Sequence, residues 1–94
     1  MERIFTIRDR TKREIYLSKE RWSHIKEEHP EIIQPEEIEQ VLVNPDKILP
    51  SDRDSEVGWY YLYKKQRKCY LKVSVKYLNG EGFIITAHYT TKIQ

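Results

Sequence analysis

The chain has 94 residues, 38% of them hydrophobic and 34% charged, with a formal net charge of +2. That length supports one domain with one modest core and leaves no room for two lobes around a cleft, so any site is expected on a sheet face or beside a helix. A single cysteine, Cys69, excludes an intramolecular disulfide and fits a reducing compartment, no run approaches the ~18 apolar residues of a membrane span, and the first five residues lack a signal-peptide layout, so a cytoplasmic protein is expected.

Arg3 to Arg8 and residues 14–17 carry strand patterns on either side of Asp9-Arg10-Thr11-Lys12, which predicts a hairpin. Ser18 stands where an N-cap belongs, with Leu17 before it and Trp22 at the spacing of a hydrophobic staple. The helix it opens is predicted to run to about Glu28, because Pro30 drives His29 away from helical angles. At 100° per residue, Trp22, Ile25 and His29 share the core-facing side, and His24 points to a flank. A second helix is predicted from Pro35, with Glu36 and Glu37 complementing its N-terminus, Ile38, Val41 and Leu42 as its apolar stripe, and Asn44-Pro45 as its stop.

Residues 51–56 read as a loop, and residues 58–64, 69–77 and 82–90 as three strands. Asn79-Gly80 signals a hairpin whose usual two-residue turn pairs Tyr77 with Gly82 and Val75 with Ile84. A loop one residue longer pairs Tyr77 with Phe83, Val75 with Ile85, Val73 with Ala87 and Leu71 with Tyr89, and it is preferred here because register follows the buried face. It sets Lys72, Ser74 and Lys76 on the other face, opposite His88, Thr86 and Ile84. The order of hairpin, two helices and three-stranded meander predicts an α+β domain with the helices packed on one face of an antiparallel sheet.

Charge is uneven along the chain. Residues 18–47 hold four basic and eight acidic side chains, whereas residues 48–94 hold eight basic and four acidic ones. An acidic helical side and a basic sheet side suit a polyanion, although an ordinary solvated surface has the same composition.

The chain has three histidines, and imidazoles are the side chains best placed to move protons near neutral pH. Cleavage of RNA by its own 2′-hydroxyl needs a base, an acid and positive charge for the phosphorane, and two histidines with a lysine supply all three without metal. His24, His29 and His88 are the candidates for proton transfer. Thr86 and Thr90 project to the same side as His88, where Lys72, Lys76 and Lys92 can grip phosphate oxygens and His88 or Tyr89 can meet the base or sugar. The plainer readings stay open: His29 as a helix cap, the threonines as ordinary strand residues, the lysines as the solvent side of a sheet.

Trp59, Tyr61 and Tyr63 share one strand face, with Tyr60 and Leu62 on the other, so one aromatic set belongs to the core. The exposed set can stack on unpaired bases beside Lys64, Lys65, Arg67 and Lys68, or that basic turn can simply guard the hairpin against edge pairing. No metal or cofactor is expected. His24 and His29 are five apart and share no helix face, and Cys69 alternates with the apolar set. Glycine-rich phosphate loops and nucleophile elbows are absent, which disfavours nucleotide hydrolysis and serine esterase chemistry.

The segments Arg21-Trp22-Ser23-His24-Ile25, Glu28-His29-Pro30-Glu31, residues 38–45 and Phe83-Ile84-Ile85-Thr86-Ala87-His88-Tyr89-Thr90-Thr91-Lys92 resemble the phage-associated members of the barnase/EndoU/colicin/RelE-like (BECR) nuclease superfamily. The resemblance covers most of the chain after Leu17. It implies a small metal-independent endoribonuclease of BECR fold, a toxin or mobile-element effector, with RNA as substrate and an inhibitor or antitoxin protein as partner. It also implies functional positions at His24 and His29 of the first helix and Thr86 and Thr90 of the last strand. Related sequences often have tyrosine after the Thr-Ala pair, where this chain has His88, which leaves open a catalytic or a packing role there. Some relatives bind without cleaving, so a non-catalytic RNA-binding or partner-binding module on the same fold is the alternative reading.

Overall fold

Asp9 shapes the first turn of the chain. Its Oδ1 accepts hydrogen bonds from the Thr11 amide at 2.9 Å, the Thr11 hydroxyl at 2.8 Å and the Arg13 amide at 2.9 Å. This closes the predicted hairpin of β1 (Arg3–Arg8) and β2 (Glu14–Ser18) in the computed structural model, which describes residues 2–93. Ser18 Oγ accepts from the Arg21 amide at 3.1 Å and starts α1 (Lys19–Glu28), which ends where the His29 amide donates to the Ile25 carbonyl at 2.7 Å. In α2 (Pro35–Val43), Glu37 Oε2 turns back to accept from the Ile33 and Gln34 amides, at 2.9 and 3.0 Å, and so satisfies donors that the helix leaves free.

Four strands follow: β3 (Lys47–Pro50), β4 (Val57–Lys64), β5 (Cys69–Leu78) and β6 (Glu81–Thr90). They build one six-stranded sheet in the order β1-β2-β6-β5-β4-β3. The fold is α+β as expected, with two corrections to the predicted meander. It has a fourth strand, β3, too short and too close to proline for a period-two pattern to reveal. The sheet is also mixed rather than antiparallel, since β2 runs parallel to β6 through Glu14↔Glu81, Ile15↔Gly82 and Tyr16↔Phe83. Parallel neighbours need a long crossover, and here both helices lie in the chain between them.

The helices cover one face of the sheet. Ile25 of α1 and Ile38, Val41 and Leu42 of α2 are buried against Ile15, Leu17, Leu71, Val73, Val75, Ile84 and Ala87. Each such aliphatic side chain contributes about 1.5–3 kcal/mol when fully buried, and α2 places three of them where α1 places one. Tyr60 also faces this core. Its hydroxyl donates to Asp9 Oδ2 and lies 2.7 Å from the Tyr77 hydroxyl, which ties β4 and β5 to the β1–β2 turn. Burial first, then the Asp9 contact, pushes the Tyr60 phenol far above its ordinary value, so it stays a neutral donor.

Both registers considered for the last hairpin occur, each in one half. Near the turn Tyr77 pairs with Gly82 and Val75 with Ile84, and Asn79 and Gly80 take φ of 43° and 89°, the left-handed pair that a two-residue type I′ turn requires. Between Ser74 and Val75 the register shifts, Ile85 is left unpaired, and the ladder continues as Ser74↔Thr86, Val73↔Ala87, Lys72↔His88 and Leu71↔Tyr89. Lys76 accordingly faces Phe83 rather than Ile84.

Candidate functional site

The β2–β6 ladder stops at Tyr16↔Phe83, and the chain then leaves β2 at Ser18 to form α1. Beyond that point α1 packs along β6 in place of a strand. The last turn of α1 therefore ends beside the far half of β6, and the His29 ring lies 5.6 Å, centroid to centroid, from the His88 ring, tilted by 31°. Glu31 Oε2 lies 3.7 Å from His29 Nδ1, within range to hold that ring when it is protonated.

Thr86, His88 and Thr90 alternate along the face of β6 away from the helices. Ser74, Lys72 and Tyr70 stand opposite them in β5, and Trp59, Tyr61 and Tyr63 follow in β4. Lys72 is both the cross-strand partner of His88 and a cap on the aromatic row, its Nζ 3.9 Å from the centre of the Trp59 ring and 5.7 Å from that of Tyr61. Partial burial, the Lys72 ammonium and His29 lower the His88 pKa in that order, against a smaller opposing pull from Glu31. His88 is thus held as a neutral imidazole near neutral pH.

The structure gathers His29, His88, Thr86, Thr90 and Lys72 and leaves other expected residues apart. His24 is exposed on α1, about 140° around the helix from position 29, and no contact among the described residues ties it to the imidazole pair. Tyr89 points to the helical side, where its hydroxyl donates to Glu37 Oε1 at 3.0 Å and the Arg67 guanidinium lies 4.6 Å above its ring. Burial and the Glu37 hydrogen bond push this phenol up to about 12. Burial also raises the Glu37 carboxyl, but the Gln34 and Ile33 amides and the Tyr89 hydroxyl together hold it below the ordinary carboxylate value. Lys76 is on the expected face, yet its ammonium is 2.7 Å from Asp54 and 3.4 Å from Glu56, so its charge is already compensated. The Asp54 hydrogen bond in particular raises the Lys76 pKa. Lys92 is exposed just past β6, where its amide and carbonyl lie 3.3 Å from the Thr90 hydroxyl.

Glu31 and Tyr70 were not singled out from the sequence. Glu31 lies in the non-periodic link between the helices, and its only signal is its place two residues after His29. Tyr70 was hidden among seven tyrosines, and only the β4–β5 register sets it beside Tyr63. A surface cleft of about 470 Å³ lies away from the imidazoles against α2 and is lined by Glu36, Glu39, Gln40, Val43, Asn44 and Leu62. Its acidic lining is unsuited to a polyanion, and a chain lying along a sheet face needs no enclosed cavity. Among the described residues no group of three or more His, Cys, Asp or Glu could hold a metal ion, and no helix is long and apolar enough to cross a membrane. No known protein family, curated protein or solved structure matches the chain.

Proposed function

We propose that this chain is a metal-independent endoribonuclease of the barnase/EndoU/colicin/RelE-like kind, in which His29 and His88 transfer the protons. The observation that carries this reading is the pairing of the two rings at 5.6 Å beside Lys72. Two hydrogen bonds of about 2.8 Å to different oxygens of one phosphate fit between groups so placed. His88, held neutral, accepts the proton of the 2′-hydroxyl as that oxygen bonds to phosphorus. Negative charge accumulating on the phosphorane meets the Lys72 ammonium. His29 donates a proton to the 5′-oxygen as its bond to phosphorus breaks, leaving a 2′,3′-cyclic phosphate and a 5′-hydroxyl. Glu31, opposite His29 Nδ1, orients that ring so that Nε2 faces the substrate. Thr86 and Thr90 line the same face and, with Lys92 just past the strand, supply donors for flanking phosphates. His24 has no part in this chemistry.

The test is incubation of purified protein with RNA in the presence of a chelator, with end-group analysis of the products. His29→Ala and His88→Ala are each expected to lower the rate by about 100-fold or more, and His24→Ala to leave it nearly unchanged. Full activity in both His29→Ala and His88→Ala would reject the proposal, as would RNA binding with no cleavage by the intact chain.

A further inference from the structure

Next to the row that joins Tyr61, Lys72 and His88 across the sheet lies a second row, Tyr63↔Tyr70↔Thr90, at the corner of the open face. Two residues along a strand is about 6.8 Å, close to the step between neighbouring nucleotides in an extended single strand. Tyr63 and Tyr70 meet edge to face, with ring centres 5.3 Å apart and planes at 70°. Tyr61, fully buried, backs Tyr70 at 6.3 Å and 89°. Tyr63 is 43% exposed, since β3 begins level with Tyr61 and leaves no strand outside it. Its amide donates to Asp46 Oδ2 at 2.7 Å, which fixes the backbone that carries the ring. The corner thus presents an uncovered aromatic side chain on a rigid support.

Charge at the corner identifies the occupant. Lys65 and Lys68 lie in the adjoining turn, Lys72 in the next row and Lys92 just past Thr90, and none of these four pairs with a carboxylate among the described residues. Lys76, at the other end of the same face, has two carboxylates. An uncovered aromatic ring set among uncompensated cations matches a polyanion that carries flat π-faces. We infer that Tyr63 and Tyr70 form a base-stacking subsite for an unpaired nucleotide of RNA adjacent to the one cleaved, with its flanking phosphates held by Lys65, Lys68 and Lys92. The inference rests on the ribonuclease reading of the neighbouring His88 row and narrows its substrate to single-stranded RNA.

The experiment measures fluorescence anisotropy of the intact chain with a short 2′-O-methyl RNA, which lacks the attacking hydroxyl and cannot be cut, and with versions carrying one abasic position. Tyr63→Leu is expected to weaken binding about tenfold, and Tyr63→Phe to retain the affinity of the parent. One abasic position is expected to cost the parent a similar factor and to cost Tyr63→Leu much less, a coupling that loss of packing alone would not produce. The same sequence as a duplex should bind more weakly than the single strand. Equal affinity of Tyr63→Leu and the parent, or indifference of the parent to every abasic position, overturns the subsite. Cleavage persisting alongside that result leaves the ribonuclease reading standing. Base-dependent binding without any cleavage overturns the ribonuclease reading and keeps the subsite. An intact chain that binds an acidic protein partner but no RNA overturns both.

Discussion

Lys72 acts in two directions, covering the Trp59 ring and facing His88 across the β5–β6 ladder. Burial contributes most to the lowered pKa of His88 and Lys72 contributes next, so the imidazole loses its proton below the ordinary value of about 6.5. For a base, the rising limb of the pH profile of kcat/KM follows that lowered pKa and lies on its acidic side. Lys72→Met removes the repulsion, and the limb is expected to move to higher pH while the maximal rate falls. A limb that stays in place would mean that Lys72 and His88 do not interact. Much of this was legible in the chain, because strand alternation alone sets Thr86, His88 and Thr90 together with Lys72 opposite. The same alternation sends Tyr89 to the other side, so grouping it with His88 at the RNA overlooked the period of the strand. His24 entered as one of only three imidazoles, and its five-residue spacing from His29 already separates the two around the helix. Glu31 was illegible, since a link without periodicity gives no direction for a side chain.

At the level of elements, caps, turns and hairpin partners read well, whereas β3 and the partner of β2 beyond its hairpin did not. Ser18, Pro30, Pro35 and Asn44 mark the helix ends where the hydrogen bonds put them, and Asn79-Gly80 marks its turn. Gly80 takes φ of 89° with nothing within 4 Å of where a Cβ would stand, so its role there is conformational alone. Gly80→Ala is therefore expected to destabilise the fold by about 1–2 kcal/mol with RNA affinity unchanged, as measured by denaturant titration beside anisotropy. Loss of affinity greater than the loss of folded protein would show that the turn shapes the site. The strand Lys47–Pro50 was missed because four residues with a terminal proline carry no usable alternation. The bulge was missed because a buried-face argument and a turn argument were treated as rivals, whereas an unpaired Ile85 satisfies both.

Across the molecule, the acidic stretch of residues 18–47 includes both helices, whereas Lys72 stands on the opposite face of the sheet, with Lys65 and Lys68 in the β4–β5 turn and Lys92 just past β6. On the proposed ribonuclease reading, association with RNA should depend on salt in proportion to the phosphates neutralised, roughly 0.7 per contact for a single strand. Four contacts at Lys65, Lys68, Lys72 and Lys92 give an expected slope near −3 for log affinity against log salt. Lys68→Ala should lessen that slope by about 0.7, while Lys76→Ala should leave it as it is, since Asp54 and Glu56 already compensate that ammonium. Equal changes from both substitutions would dissolve the distinction between the two ends of the face. The uneven charge was visible in the chain. The parallel contact of β2 with β6 was not, because pairing across more than sixty residues leaves no local pattern.

Had every residue of β6 been paired outward from Asn79-Gly80, parity would have turned Ala87 toward water and His88 toward the helices. One skipped residue separates the phase of the strand tip, which the turn dictates, from the phase of its far end, which the imidazole needs. An added residue at the tip and a lost residue at position 85 would cancel, so homologous hairpins can differ in loop length and still present the same histidine to the same side.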